Sequence, residues 1–177
     1  MTGNTGWRVE RVTGRTATDA VPALAEVLID AVEGGASVSF LAPLSRERAV
    51  SFWESVVAGV SRGERALLVA RDIDGVANGT VQLVLAQPEN QPHRADIAKL
   101  LVHRRARRSG VGELLMREAE RVAMVEGKTL LVLDTASDDA ARLYERLGWN
   151  LVGRIPNYAL NPDGSPCDTY VYWKALG

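Results

Sequence analysis

The sequence predicts an α/β fold in which a mixed central sheet is flanked by helices. Segments with strand and helix periodicity alternate along the chain. Asp74-Gly75 separates two apolar runs, as in a β-hairpin, because glycine accepts the positive φ of a tight turn. The nearly continuous apolar run at 129–133 is typical of a strand buried on both faces. For 177 residues we expect one domain over 1–177, with the small polar residues 1–6 disordered.

The first part of the chain predicts one strand and two helices. Apolar and charged residues alternate over 7–12, which indicates a strand. A helix over 20–33 follows, with Thr18-Asp19 as its cap and Gly34-Gly35 as its stop. Ser45 begins a second helix after a turn-rich stretch.

The rest of the chain predicts a hairpin, four further strands and two more helices. Each segment is bounded by glycine or by a polar turn. The predicted strands are 66–70, 76–86, 96–102, 129–133, 150–155 and 169–174, and the predicted helices are 111–126 and 139–147. The resulting order is β-α-α-β-β-β-α-β-α-β-β.

Composition excludes several classes of protein. The chain is 46% hydrophobic and 24% charged, which is ordinary for a soluble globular protein, and its formal net charge of −1 argues against a nucleic-acid binder. With Cys167 as the one cysteine, no intramolecular disulfide and no cysteine zinc cluster can form. His93 and His103 are too few for an all-histidine metal site, so we expect no metal. Because we see neither a signal peptide nor an apolar run of about 18 residues, we expect a cytoplasmic protein that does not bind membranes.

A basic, glycine-bearing loop carries the chemistry. Residues 104–112, RRARRSGVG, lie between a predicted strand and a predicted helix. A helix N-terminus binds anions through free N–H groups, Gly110 and Gly112 let the backbone approach a phosphate, and the four arginines add charge. The alternative is a solvated basic turn. A Walker loop would need Gly-Lys-Ser/Thr, and a dinucleotide fingerprint would need a glycine at Leu115.

Two spaced motifs resemble those of the GNAT superfamily of N-acetyltransferases. The first is Arg/Gln-x-x-Gly-x-Gly/Ala, here Arg107-Arg-Ser-Gly-Val-Gly112. The second is a short helix with a tyrosine followed by Leu-Gly-aromatic, here residues 140–149, AARLYERLGW. The resemblance covers almost the whole chain and implies the GNAT acyl-CoA N-acyltransferase fold, with a V-shaped sheet and acetyl-CoA as cosubstrate. It implies cofactor contacts from Leu101, Val102, Arg107, Arg108, Ser109, Gly110, Val111, Gly112 and Ser137. Many members have asparagine at the position of Ser137, seven residues before Tyr144.

The chain is also similar to the tabtoxin-resistance acetyltransferase subgroup. The matching segments are short: 34–38 (GGASV), 94–96 (RAD), 99–100 (KL), 133–135 (LDT) and 162–164 (PDG). This similarity implies toxin resistance and a small-molecule amine acceptor. An amino-acid-like toxin, an antibiotic amine and a metabolite all remain open as acceptors.

Three side chains are candidates for proton transfer. A primary amine with a pKa of about 10 must lose a proton before it attacks a thioester, and the thiolate leaving group needs a donor. Asp96 opens one strand and Asp134 ends the next, so either carboxylate could serve as the base, a role the resemblance also implies. Tyr144 is the expected acid. The alternatives are a solvent-exposed charge for Asp96, a helix cap for Asp134 and core packing for Tyr144.

The acceptor pocket is expected in the early loop. Gly35, Ser37 and Phe40 belong to this loop, and Trp53 and Tyr158 would add aromatic walls, although core packing is an alternative for both aromatics. The sequence therefore predicts direct transfer of acetyl from acetyl-CoA to a primary amine. A transferase for another acyl-CoA and a non-catalytic CoA-binding regulatory module are the alternatives, and a homodimer is left open.

Overall fold

One seven-stranded sheet forms the centre of the molecule. The computed structural model describes residues 6–177; of the predicted disordered segment, residues 1–5 lie outside the described residues. The strands are β1 (Arg8–Val12), β2 (Arg65–Arg71), β3 (Ala77–Val84), β4 (Arg94–Val102), β5 (Leu130–Thr135), β6 (Asn150–Leu160) and β7 (Pro166–Ala175). The helices are α1 (Gly14–Glu33), α2 (Arg46–Ser61), α3 (Val111–Val125) and α4 (Asp138–Arg146). The predicted element order and the predicted mixed α/β fold are confirmed.

The first helix is longer than the sequence predicted. It begins at Gly14 rather than near residue 20, because Thr13 and Thr16 form a cap there. The Thr13 N–H donates to Thr16 Oγ1 at 3.0 Å, and Thr16 N–H donates to the Thr13 carbonyl at 3.1 Å. Reciprocal bonds of this kind satisfy donors that a helix N-terminus otherwise leaves free. Pro22 therefore lies inside the helix rather than near its start.

The sheet is mixed, and one junction opens. The strand order is β1-β2-β3-β4-β5-β7-β6, with β4 and β5 parallel and all other neighbours antiparallel. Parallel pairing begins at Arg94 with Leu130 and ends at Asp96 with Val132. Beyond Asp96, β4 continues to Val102 and β5 to Thr135 without pairing to each other. The two strands therefore diverge into a V.

Helices cover the two faces of the sheet with separate cores. Helices α1 and α2 pack with β1–β4 around Leu24, Leu28, Trp53, Leu67 and Leu101. On the opposite face, α3 and the end of α4 pack in a second core whose buried members include Leu68, Leu83, Leu115, Leu131 and Tyr144. No helix within residues 6–177 has the length and apolarity needed to cross a membrane.

Two strand predictions need correction. Only one face of β5 is buried: Leu131 and Leu133 lie in the α3 core, whereas Val132 is only half-buried and Asp134 is exposed. Helices α1 and α2 pack on β1–β4 and leave this second face of β5 uncovered. The last two strands are longer than predicted and form one hairpin. Its turn is held by hydrogen bonds between Asn161 and Ser165.

Candidate active site

An open cleft of about 1090 Å³ lies where β4 and β5 diverge. Its walls are the parts of β4 and β5 that do not pair with each other, the loop that leads into α3, helix α4, the loop between α1 and α2, and β6. The predicted site residues that line it are Gly35, Ser37, Phe40, Leu101, Val102, Arg107, Arg108, Gly110, Val111, Gly112, Asp134, Ser137, Tyr144 and Tyr158.

The loop between β4 and α3 has the geometry of an anion-binding helix N-terminus. One 3₁₀ turn, Arg104–Ala106, follows β4, and Gly110 then caps α3 with φ 86°. The first intrahelical hydrogen bond runs from Leu114 N–H to the Gly110 carbonyl at 3.1 Å, so the N–H groups of residues 111–113 precede the helical ladder. A Cβ at Gly110 would meet no atom within 4 Å. This space leaves the backbone accessible to a phosphate.

The four arginines of this loop divide into two pairs. The backbone N–H and the Nε of Arg104 each donate to Asp30 of α1 at 2.8 Å. Arg105 Nη1 donates to a glutamate of the same helix, also at 2.8 Å. Arg107 and Arg108 line the cleft instead. The expectation that all four serve a phosphate is therefore corrected: two of them hold the loop against α1.

Of the other predicted cofactor contacts, some line the cleft and one does not. Leu101 and Val102 line the cleft at the end of β4. Ser137 also lines it, while its Oγ accepts a backbone N–H of the first turn of α4 at 3.2 Å and so caps that helix. Ser109 does not line it, because its Oγ turns back and donates to the Ala106 carbonyl at 2.6 Å.

Asp134 and Tyr144 both face the cleft. Asp134 Oδ2 accepts a hydrogen bond from Thr169 Oγ1 at 2.9 Å. The Tyr144 ring is 4% exposed and packs against Trp149 and Tyr172, with centroid distances of 5.9 and 5.8 Å. Burial, and then the charge of Asp134, raise the pKa of Tyr144 above the usual value for tyrosine. Within residues 6–177 no hydrogen bond involves its hydroxyl. Tyr144 is therefore a phenol that stays protonated and is free to donate.

The structure separates the two candidate carboxylates. Asp96 does not line the cleft, because it lies at the last paired position of β4, before the strands diverge. Its Oδ1 is 3.2 Å from Arg94 Nη1, and its Oδ2 accepts from Gln87 Nε2 at 3.2 Å. Of the two candidate carboxylates, Asp134 lines the cleft and Asp96 does not.

The early loop closes one end of the cleft. Gly35, Ser37 and Phe40 line this end, together with Tyr158 of β6. Ser37 Oγ donates to the Leu160 carbonyl at 2.9 Å, which ties the loop to β6. Trp53, the other aromatic predicted here, does not line the cleft. It is fully buried in the α1–α2 core, because it lies on the inward face of α2.

Comparison with known families decides the class of this protein. Residues 29–149 match the model of the Acetyltransferase (GNAT) family, a segment that contains the α3 loop, Asp134 and Tyr144. The chain belongs to the GNAT family. The predicted enzyme class, an acetyltransferase, is thereby confirmed.

Solved GNAT structures share the fold over nearly the whole chain. An N-acetyltransferase from Staphylococcus aureus is 15% identical, covers 97% of this chain and 99% of its own, and has a TM-score of 0.79. A phosphinothricin acetyltransferase from Sinorhizobium meliloti in complex with AcCoA is 18% identical, covers 97% and 89%, and has a TM-score of 0.79. A ribosomal-protein-alanine N-acetyltransferase from Brucella melitensis is 22% identical, covers 96% and 99%, and has a TM-score of 0.77. These similarities establish a common GNAT fold for the chain.

The sequence did not predict Lys99 as a site residue of this GNAT chain, whereas its partner Ser39 belongs to the early loop that was expected at the cleft. Lys99 and Ser39 line the acceptor end, and Lys99 Nζ donates to Ser39 Oγ at 2.9 Å. Both have positive φ, 52° and 77°, although neither is a glycine. Residue type gives no signal for such a conformation. In the described part of the chain, no group of three histidine, cysteine or acidic side chains is arranged to hold a metal.

Proposed function

We propose that this GNAT enzyme transfers the acetyl group of acetyl-CoA directly to a primary amine of a small molecule. The observation that carries the proposal is the cleft itself. Its walls bring together the phosphate-binding geometry of the α3 loop, the carboxylate of Asp134 and the free hydroxyl of Tyr144. Binding, proton removal and proton donation can therefore take place in one continuous space.

The residues at the α3 loop suit the pyrophosphate of acetyl-CoA. The free N–H groups of residues 111–113 and the open space over Gly110 match what a phosphate oxygen requires. Arg107 and Arg108 add positive charge at the same end of the cleft. Leu101 and Val102 offer an apolar wall. The cosubstrate supplies an acetyl group activated as a thioester.

We assign the role of base to Asp134 and the role of acid to Tyr144. Asp134 would accept the proton of the acceptor ammonium, directly or through a water molecule. The Thr169 hydroxyl already occupies one lone pair of Oδ2 and fixes the carboxylate. Tyr144 would donate its proton to the departing thiolate. An ordinary phenol is protonated at neutral pH, as this role requires, and the Tyr144 hydroxyl has no hydrogen bond to residues 6–177 that the thiolate would have to displace.

The enclosure of the acceptor end supports a small molecule rather than a protein chain. The loop between α1 and α2 is tied to the β6–β7 hairpin by Ser37 Oγ and by Ala42 N–H, which donates to the Pro162 carbonyl at 2.9 Å. These bonds hold the loop and the hairpin together at this end of the cleft, which narrows the space left for an acceptor. The similarity to the tabtoxin-resistance subgroup and to a phosphinothricin acetyltransferase supports an amino-acid-like toxin as the acceptor.

A matched pair of variants tests the proposal. Thiol release from acetyl-CoA is measured with a panel of primary amines, for the parent, for Asp134→Asn and for Asp96→Asn. Loss of a general base lowers kcat by about 10²–10⁴-fold, so we expect this loss for Asp134→Asn, while Asp96→Asn stays within about threefold. Equal losses in the two variants would refute the assignment of Asp134.

The same assay, repeated with longer acyl-CoA donors, and a binding measurement with acetyl-CoA test the other two possible functions. A chain that releases thiol only from a longer acyl-CoA would be a different acyltransferase. Calorimetric binding of acetyl-CoA without any thiol release would indicate a regulatory module.

A further inference from the structure

Lys99 occupies an irregular position in β4, on the acceptor side of the cleft. Between Gln82 and Thr80 of β3 the register with β4 shifts from Ala98 to Leu101, so Lys99 and Leu100 oppose one residue. A bulge of this kind re-aims a side chain, and here it accompanies the left-handed backbone of Lys99. Side chains held in such conformations cluster at functional sites. The bulge directs Lys99 into the cleft.

The ammonium of Lys99 has fewer hydrogen-bond partners than the ammonium groups of the other two lysines. Lys174 Nζ contacts both carboxylate oxygens of Glu120 at 2.8 Å, and Lys128 Nζ donates to two backbone carbonyls. Lys99 Nζ, by contrast, has one hydrogen bond, to Ser39 Oγ, and no carboxylate within residues 6–177 pairs with it. An ammonium carries three donors. Two N–H donors of Lys99 therefore have no hydrogen-bond partner in the described part of the chain.

The surroundings of Lys99 hold its ammonium at the cleft without supplying an anion from residues 6–177 that pairs with it. Its Nζ lies 5.8 Å from the centroid of the Phe52 ring. Burial lowers the pKa of Lys99, the charge of Asp134 acts in the opposite direction, and the charge of Arg65 adds to the lowering. A ligand that displaces water from this half-buried ammonium restores its hydrogen bonds only if the ligand carries an acceptor for the free donors, and an anion is the strongest such acceptor.

We propose that Lys99 is a specificity-determining residue that binds an oxyanion of the acceptor, such as a carboxylate. This inference rests on the proposed function. Asp134 would receive the ammonium of the acceptor and Lys99 its anionic group, so the two opposite charges select a molecule that carries both. A simple alkylamine satisfies Asp134 but leaves Lys99 without an anion.

The anion that fits Lys99 is not the phosphate of the cosubstrate. Between Lys99 and the loop that leads into α3 lie the apolar residues Leu100 to Val102, which also line the cleft. Its hydrogen-bond partner, Ser39, belongs to the loop between α1 and α2 at the acceptor end. Arg107 and Arg108 already supply the charge at the loop end.

Steady-state kinetics with paired acceptors tests the role of Lys99. Each amino acid in the panel is matched with its own carboxamide, which keeps the amine but loses the negative charge. For Lys99→Met we expect KM to rise by about tenfold or more for the acids, the range of a hydrogen bond to a charged group, and by less than about twofold for the carboxamides. Lys99→Arg should recover part of the loss, and KM for acetyl-CoA should not change. Arg15→Met, at an exposed arginine of α1, is the control and should match the parent.

Product binding gives a readout that does not need turnover. In the presence of CoA, calorimetry should show N-acetyl amino acids binding about tenfold more tightly than N-acetyl amino amides, with the difference lost in Lys99→Met. Three outcomes would each overturn the proposal: equal KM changes for acids and amides, no preference for acids in either assay, or a kcat loss with a displaced pH profile. The last outcome would assign Lys99 to proton transfer. Failure of acetyl-CoA to bind the parent would refute the proposed function instead, so the two failures are distinguishable.

Discussion

Tyr144 shows how one side chain can be part of the core and of the cleft. Its ring packs between two other aromatic rings as part of the core, yet the residue also lines the cleft between β4 and β5. The sequence predicts this residue from the short helix and the Leu-Gly-Trp that follows it. The sequence could not show which of Asp96 and Asp134 lines the cleft, because that depends on where the two parallel strands stop pairing.

Removing the Tyr144 hydroxyl isolates its chemical role from its packing. For Tyr144→Phe we expect kcat to fall at least about tenfold, about 1.4 kcal/mol in barrier, because the thiolate loses its proton donor while the ring stays in place. Acetyl-CoA affinity and the unfolding midpoint should be nearly unchanged. Steady-state kinetics under conditions where chemistry limits the rate, with calorimetry for affinity, makes the measurement.

Tyr172→Phe is the matched control for this prediction. Tyr172 is buried beside Tyr144, but its hydroxyl donates to Glu145 at 3.2 Å and it does not line the cleft. Its loss should leave kcat within about twofold. Parental kcat in Tyr144→Phe would make Tyr144 a packing residue and leave water or another group as the acid.

At the scale of elements, sequence patterns located the helices and strands better than their irregularities. The start of α3 and its glycine cap follow from the loop sequence, whereas the early start of α1 depends on two threonines that cap each other. The bulge at Lys99 has no sequence signal, because lysine has no preference for positive φ. Irregular backbone occurs at both ends of the cleft: Ser39 and Lys99 have positive φ at one end, and Arg108 and Gly110 have it at the other.

Gly110 tests whether the N-terminus of α3 holds the pyrophosphate. In Gly110→Asp a Cβ and a carboxylate would enter the space where we place a phosphate, so we expect acetyl-CoA affinity to fall by at least about tenfold. The fold should persist, since the added Cβ meets no atom within 4 Å. Calorimetry with acetyl-CoA gives the affinity.

Gly127, just beyond the other end of α3, provides a control with the same backbone strain. Its φ is 72° and its Cβ would also meet nothing within 4 Å. Both variants should lose about 1–2 kcal/mol of stability from the left-handed conformation, but Gly127→Asp should bind acetyl-CoA like the parent. If the two variants bind alike, the pyrophosphate is held elsewhere.

At the scale of the whole molecule, hydrogen bonds join helix α1 to the loop between β4 and α3. Asp30 of α1 is 7% exposed and accepts the backbone N–H and the Nε of Arg104, and His103 Nε2 lies 3.6 Å from the same carboxylate. The sequence indicated a basic loop but not its anchor, because the two segments are 74 residues apart. The site is therefore supported by a contact between distant parts of the chain.

This anchor predicts a dependence of stability on pH. Burial alone would raise the pKa of Asp30, but the hydrogen bonds from Arg104, with the charges of His103 and Arg104, outweigh it and hold that pKa below its usual value. A carboxyl with a lowered folded-state pKa stabilises the fold above its unfolded value of about 3.9, and this stabilisation is lost as pH falls through the folded-state pKa. Asp30→Asn should therefore cost about 1–3 kcal/mol at pH 7, from a weakened charged hydrogen bond, and less below about pH 4. Thermal unfolding from pH 3 to pH 7 makes the test, with Asp19→Asn, in an exposed pair with Arg15 at 3.7 Å, as the control that should match the parent throughout. A penalty for Asp30→Asn that stays constant across this range would show that Asp30 contributes by packing and not by its charge.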